Sequence, residues 1–245
     1  MNRDIAGCSC HGDDCNGPGP VLFSRRGLLG RTLTTAAASA LTGAELAAPS
    51  PATAQTIQSP QEALQTLMDG NRRFLDRKLT FYEEDLAILQ KNTAEKQEPF
   101  ASVLSCADSR VPVELIFDQS IGHVFVNRIA GNIVTTEIMA SIEYGAAVLG
   151  TKAIMVLGHG NCGAVKATID AKAVPGQISS LYRYIRPAVN AAGDNLRAAT
   201  EANAKIQAQL LRESSPVLAG LIKKGNLSVV AAFFDVESGK VTLLG

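Results

Sequence analysis

Two short runs of the chain hold side chains able to do chemistry together. Cys106-Ala107-Asp108-Ser109-Arg110 places a thiol, a carboxylate and a guanidinium close together, and His159-Gly160-Asn161-Cys162-Gly163-Ala164 places an imidazole near a second thiol. Alone, a cysteine flanked by apolar residues is a core residue and a lone histidine is a hydrogen-bonded turn residue. Together they make a soft Cys/His/Cys set, which selects zinc among the common divalent ions and leaves a fourth position for water. Two thiolates neutralise the dication, and a zinc ion brings the pKa of its water from 15.7 to about 7. Asp108 then has two readings: a conditional fourth ligand, or an acceptor, held in orientation by Arg110, for the proton of the activated water. A structural ion pair supporting the loop is the plainer alternative for Asp108 and Arg110.

For these runs to meet, the intervening chain must set them at neighbouring strand ends. Continuous apolar runs at 100–106, 123–130, 153–158 and 227–234 read as short strands buried on both faces. Helical patterns fall at 60–75, more weakly at 83–91, and then at 133–149, 162–171, 179–213 and 216–224. The run at 241–244, after the turn at 237–240, adds an edge strand. Alternation of strand and helix predicts an α/β fold with a mostly parallel central sheet flanked by helices and preceded by an N-terminal helical arm. In such sheets ligands bind beyond the carboxyl ends of the strands, where both polar runs are expected.

The bulk numbers fit a folded chain with a small substrate. Of 245 residues 46% are hydrophobic and 19% charged, while Lys+Arg and Asp+Glu are equal at 23 each. No global field is left over to hold nucleic acid or an anionic membrane. Five cysteines, three of them (Cys8, Cys10, Cys15) crowded at the start, do not suit a disulfide framework. Paired arginines in Ser24-Arg25-Arg26-Gly27-Leu28-Leu29 precede a mild apolar stretch and Ala52-Thr53-Ala54, the pattern of a twin-arginine export signal. The stretch is interrupted by Thr34, Thr35, Ser39, Thr42, Gly43 and Glu45, whereas a membrane span needs roughly 20 strongly apolar residues. The division expected is therefore an export signal at 1–54 and one catalytic domain at 55–245, with a periplasmic or otherwise exported product and no stable membrane insertion after cleavage. Cys8, Cys10, His11 and Cys15 have metal-binding spacing but precede the signal and would leave with it.

Cys-Ala-Asp-Ser-Arg at 106–110 with His-Gly-Asn-Cys-Gly-Ala at 159–164 resembles the paired signatures of β-class carbonic anhydrases. The likeness runs from about 60 to 245 and takes in Phe117-Asp118-Gln119, the run Phe125 to Asn132, and Phe234 to Gly239. This resemblance implies one Zn2+ per subunit on Cys106, His159 and Cys162, with Asp108 and Arg110 as the catalytic dyad and Gln119 and Gly163 on the substrate side. It implies reversible hydration of carbon dioxide to bicarbonate and a proton, carried out by a homodimer or higher homo-oligomer whose N-terminal helices embrace the partner. Two departures stand out. His123 occupies a place often acidic in related sequences, giving either a proton relay or a solvated strand-start histidine. The chain has no tryptophan, so a Trp-containing inhibitory bicarbonate pocket is excluded even though Arg128 matches another of its positions. Two further functions suit the same residues. One is hydrolysis of carbonyl sulfide or carbon disulfide, which share the linear shape of carbon dioxide. The other is a zinc module without turnover, which would not require Asp108 and Arg110.

Overall fold

A computed structural model describes residues 56–81, 94 and 96–245. The expected helix at 83–91, the export signal and the Cys8 to Cys15 tail lie outside the described residues. Helix α1 (Pro60–Leu75) begins where the sequence dictates: Pro60 sits in the first turn, the Ser59 hydroxyl accepts from Glu62 N–H, and Glu62 accepts from Ser59 N–H at 2.7 Å. This reciprocal capping satisfies two otherwise orphaned donors.

Five strands follow: β1 (Ala101–Ser105), β2 (Val124–Arg128), β3 (Ala153–His159), β4 (Ser228–Phe234) and β5 (Val241–Leu244). Their order across the sheet is β2-β1-β3-β4-β5, with every pairing parallel except β4 with β5. The mostly parallel sheet is thus as expected, and so is the added edge strand. Every residue of β1 and β3 is buried. Alternate side chains go to opposite layers, as a two-residue repeat demands. Val103, Met155 and Leu157 pack with Leu64 and Leu67 of α1, whereas Leu104, Ile154 and Val156 pack on the other face with Ile142, Leu211 and Leu218.

The helices of that second face are α3 (Thr136–Ala147), α6 (Leu196–Ser214) and α7 (Pro216–Lys223); α4 (Gly163–Asp170) and α5 (Tyr182–Ala192) close the end where the polar runs lie. The stretch read as helical over 179–213 is divided. A 3-10 turn at Ile178–Leu181 leads into α5, which stops at Gly193 with φ +66°, and Asn195 caps α6 by accepting from Ala198 N–H at 2.9 Å. A left-handed glycine followed by an Asn cap ends one helix and starts another, which periodicity averaged over a long window hides. Helix α3 starts at Thr136, not Ile133, because Thr135 supplies the cap. A further single turn, α2 (Val113–Ile116), has too short a pattern to be seen in sequence. Among the described residues no helix is long and apolar enough to cross a membrane.

Candidate metal centre

The parallel register sets the site. Ser105, the last residue of β1, pairs with Leu157 of β3, so Cys106 leaves one strand end beside the point where His159 leaves the next. A tight turn with Asn161 at φ +54° then brings Cys162 to the N-cap of α4. The ligand atoms of Cys106, His159 and Cys162 all lie within 4.8 Å of one another, and all three residues are buried. Ligands bound at about 2.0–2.3 Å to one tetrahedral ion need little movement from such a spacing.

The imidazole is prepared for this role. His159 Nδ1 lies 2.9 Å from the Gly160 carbonyl. A carbonyl only accepts, so Nδ1 carries the proton and Nε2 presents its lone pair. Nε2 is buried without a hydrogen-bond partner. A buried polar atom left in that state costs free energy unless something else meets it, and beside two thiols a thiophilic cation is the natural partner. The residues present therefore fit a zinc ion.

The two sulfurs sit side by side. The neighbouring Cys162 thiol draws the Cys106 thiol down to about 4, against burial, and the backbone N–H groups of Gly131 and Asp108 draw it the same way. Cys162 is pushed up, first because it gives its hydrogen bond to Cys106, then by burial and by the Cys106 charge. The α4 N-terminus opposes that shift through the Ala164 and Val165 N–H groups. A cation bound between them would take the place of the thiol protons.

Asp108 stands beside this group, its Oδ2 3.9 Å from His159 Nε2. Arg110 grips it twice, Nε to Oδ1 at 2.9 Å and Nη2 to Oδ2 at 2.7 Å, and the Arg110 backbone N–H adds a third bond to Oδ1 at 3.0 Å. The guanidinium hydrogen bond holds the Asp108 carboxyl well below the usual carboxylate range. Arg110 is raised in turn by the same bond. Arg110 Nη2 also donates to the Asn161 carbonyl at 3.1 Å, so the dyad is latched to the turn that carries Cys162. A cleft of about 580 Å³ passes Arg110 between the end of α1 and the 236–239 turn, and a second of about 450 Å³ borders Gly160 and Asn161.

Of the residues singled out in sequence, Cys106, Asp108, Arg110, His159 and Cys162 converge. Gly163 opens α4 with no atom within 4 Å of where a Cβ would stand, which leaves room on that side. Gln119 is buried and donates through Nε2 to the Phe117 carbonyl at 2.8 Å, so its contacts are with α2 and α1. His123 precedes β2 at the amino end of the sheet, whereas Cys106 lies beyond the carboxyl end of the neighbouring β1. A five-residue strand at about 3.3 Å per residue separates the two ends, so His123 does not relay protons to the site of its own chain. Arg128 lies beside the centre. It donates to the Cys106 carbonyl at 3.1 Å and the Asp108 carbonyl at 2.5 Å, bracing the loop between them. Two backbone groups were not foreseen: the Asn161 carbonyl, and the Gly131 N–H, which donates to Cys106 Sγ at 3.3 Å. The glycine of Ala130-Gly131-Asn132 was the available signal, since a glycine beside a cysteine site allows close backbone approach.

A mostly parallel α/β sheet carrying a Cys/His/Cys centre and a carboxylate–guanidinium dyad at its carboxyl edge defines a metal-site enzyme of the β-carbonic anhydrase type. Comparison with known proteins agrees. A family model described as carbonic anhydrase matches residues 101–241. A carbonic anhydrase of Mycolicibacterium smegmatis is 34% identical over 194 residues, covering 76% of this chain and 93% of its own length. Carbonic anhydrase 2 of Mycobacterium tuberculosis is 31% identical over 193 residues, again 76% of this chain and 93% of the relative. A Coccomyxa β-carbonic anhydrase, solved in complex with acetazolamide, is 28% identical and superposes with a TM-score of 0.59 over 74% of this chain and 86% of its own. The chain belongs to the carbonic anhydrase family, and its fold is that of the β class.

Proposed function

We propose that this protein binds one zinc ion on Cys106, His159 and Cys162 and interconverts carbon dioxide and bicarbonate. The observation that carries the reading is the buried, unpartnered His159 Nε2 set between two cysteines and beside an ionised Asp108. When bound, the ion supplies the Lewis acidity that brings water into the neutral range of pKa. The chain's own residues do the rest. His159 keeps its proton on Nδ1 through Gly160, so its lone pair stays turned inward. Asp108, with both oxygens tied to Arg110, is always an acceptor and never a donor near neutrality. It orients a water proton at Oδ2 and leaves the oxygen lone pair free to face a small linear electrophile. Arg110 preserves that orientation and, through the Asn161 carbonyl, ties it to the loop bearing Cys162. The test is metal content and carbon dioxide hydration in Cys162→Ser: both are lost, because a hydroxyl replaces thiolate poorly. Full zinc occupancy with normal turnover in that variant overturns the ligand set.

We extend the reading to assembly and location. Ile121, Tyr144 and Val148 are exposed large hydrophobics near edge strand β2, with Tyr144 against Phe125, which supports a homodimer or higher homo-oligomer. Export is supported by Arg25-Arg26 and Ala52-Thr53-Ala54.

A further inference from the structure

The loop at 131–134 reaches the centre without contributing a side-chain ligand, and what holds it is polar. Gly131 N–H donates to Cys106 Sγ at 3.3 Å. The other end of the same residue, its carbonyl, accepts from Asn203 Nδ2 at 2.8 Å. Three residues on, Val134 N–H donates to Gln207 Oε1 at 2.8 Å. Gln207 Nε2 is shared between Asn203 Oδ1 at 3.3 Å and the Tyr184 carbonyl at 3.1 Å. Asn203 and Gln207 are buried and four residues apart, so they lie on one face of α6, which also sets Thr200 against Gly158, the residue before His159. Burying two primary amides in an apolar layer is costly unless their bonds are used, and here each amide gives one bond to the same loop. Gly131 adds a steric condition: at φ +77°, a Cβ would stand 2.7 Å from Ile185 Cδ1 of α5.

We infer that Asn203 and Gln207 are positioning residues for the metal centre, holding the 131–134 loop so that the Gly131 N–H stays on the Cys106 sulfur. A hydrogen bond to a coordinating thiolate draws charge from it and fixes its direction, so the amide frame acts on the ligand through one peptide group. Asn203 touches neither substrate nor ion; its effect reaches the metal only through Gly131. The inference rests on the zinc site proposed above.

The test uses the full chain, stripped and reloaded with Co2+ for absorption spectroscopy and with Zn2+ for competition against a chromophoric chelator. Asn203→Ala is compared with Arg212→Ala, which removes a different α6 bond to backbone, the one to the Val229 carbonyl at 2.9 Å, far from the loop. Second-sphere losses of this kind typically weaken metal affinity by about 10- to 100-fold. The expected result is a zinc affinity at least about tenfold weaker and a shifted thiolate-to-cobalt absorption band in Asn203→Ala, with both unchanged in Arg212→Ala. Where Asn203→Ala does not fold, Asn203→Asp gives the same reading, since it keeps the acceptor for Gln207 and loses the donor to Gly131. A folded Asn203 variant with parental affinity and parental cobalt spectrum overturns the inference, as does an equal change in Arg212→Ala. A parent protein that binds neither metal overturns the zinc site itself and this inference with it.

Discussion

Asp108 and Arg110 are the side chains whose loss should separate chemistry from metal binding. Asp108→Asn keeps the size of the group but removes the charge and one acceptor, so Arg110 loses its two-pronged partner. Zinc content should stay at the parental level while carbon dioxide hydration falls by about 10²-fold or more, as for other positioned proton acceptors. Stopped-flow hydration with metal analysis on the same samples decides it, and parental turnover would reduce Asp108 to loop scaffolding. The two sulfurs carry a second consequence. They lie within 4.8 Å of each other, with no other cysteine among the described residues to compete. Chelation in air should therefore let Cys106 and Cys162 give two electrons and their remaining S–H protons to dioxygen, which leaves as hydrogen peroxide, and close a disulfide. Peptide mapping without reductant should find a Cys106–Cys162 linked pair in the stripped protein and none in the zinc-loaded one. Stripped protein with both thiols still free would show the site too stiff to close.

Among the elements, α1 is docked by a close approach that a single methyl group would spoil. A Cβ at Gly70 would meet the Phe117 carbonyl oxygen at 1.7 Å, a backbone atom with nowhere to move. Gly70→Ala should thus cost about 1–3 kcal/mol or more despite the better helix propensity of alanine, measurable by denaturant unfolding. The turn after α1 depends on Asp118, whose buried carboxylate accepts from the Arg73 guanidinium, from Thr80 N–H at 2.8 Å and hydroxyl at 2.9 Å, and from Phe81 N–H at 3.0 Å. Burial pushes its pKa up, but these bonds outweigh burial and leave it below the ordinary value. A depressed folded pKa means that the stability it contributes is complete above the ordinary carboxylate pKa of about 3.9 and is lost as pH falls from there through the folded value. Asp118→Asn should lower stability by about 2 kcal/mol at pH 7, and the gap from the parent should narrow below pH 4. A gap that stays constant across that range would mean that the aspartate acts by shape alone.

Across the whole molecule, the parts legible in sequence were those written in local pattern. Continuous apolar runs located β1 and β3, which are buried on both faces and leave no polar alternation to confuse them, and the shorter apolar runs of β2 and β4 marked the strands beside them. The residues of the candidate centre were readable because Cys106, Asp108 and Arg110 share one strand end, and His159 and Cys162 the next. What stayed hidden came from contacts between distant segments. Asn203 and Gln207 looked like ordinary polar positions on a helix, and only the fold shows them carrying the loop at 131–134. The distance of His123 from the centre of its own chain has a topological reason, since parallel pairing sends the start of β2 away from the end of β1. The break at Gly193 to Asn195 was present in the residues but outweighed by a long apolar period. One zinc per chain, on these three residues, is what we propose supports carbon dioxide hydration. The most direct measurement is stopped-flow hydration during stepwise return of Zn2+ to reduced, metal-stripped protein. No activity is expected before addition, then a linear rise and a sharp break at one zinc per chain. Full activity in the stripped protein, or a chain with one zinc bound at this centre and no hydration, would contradict it.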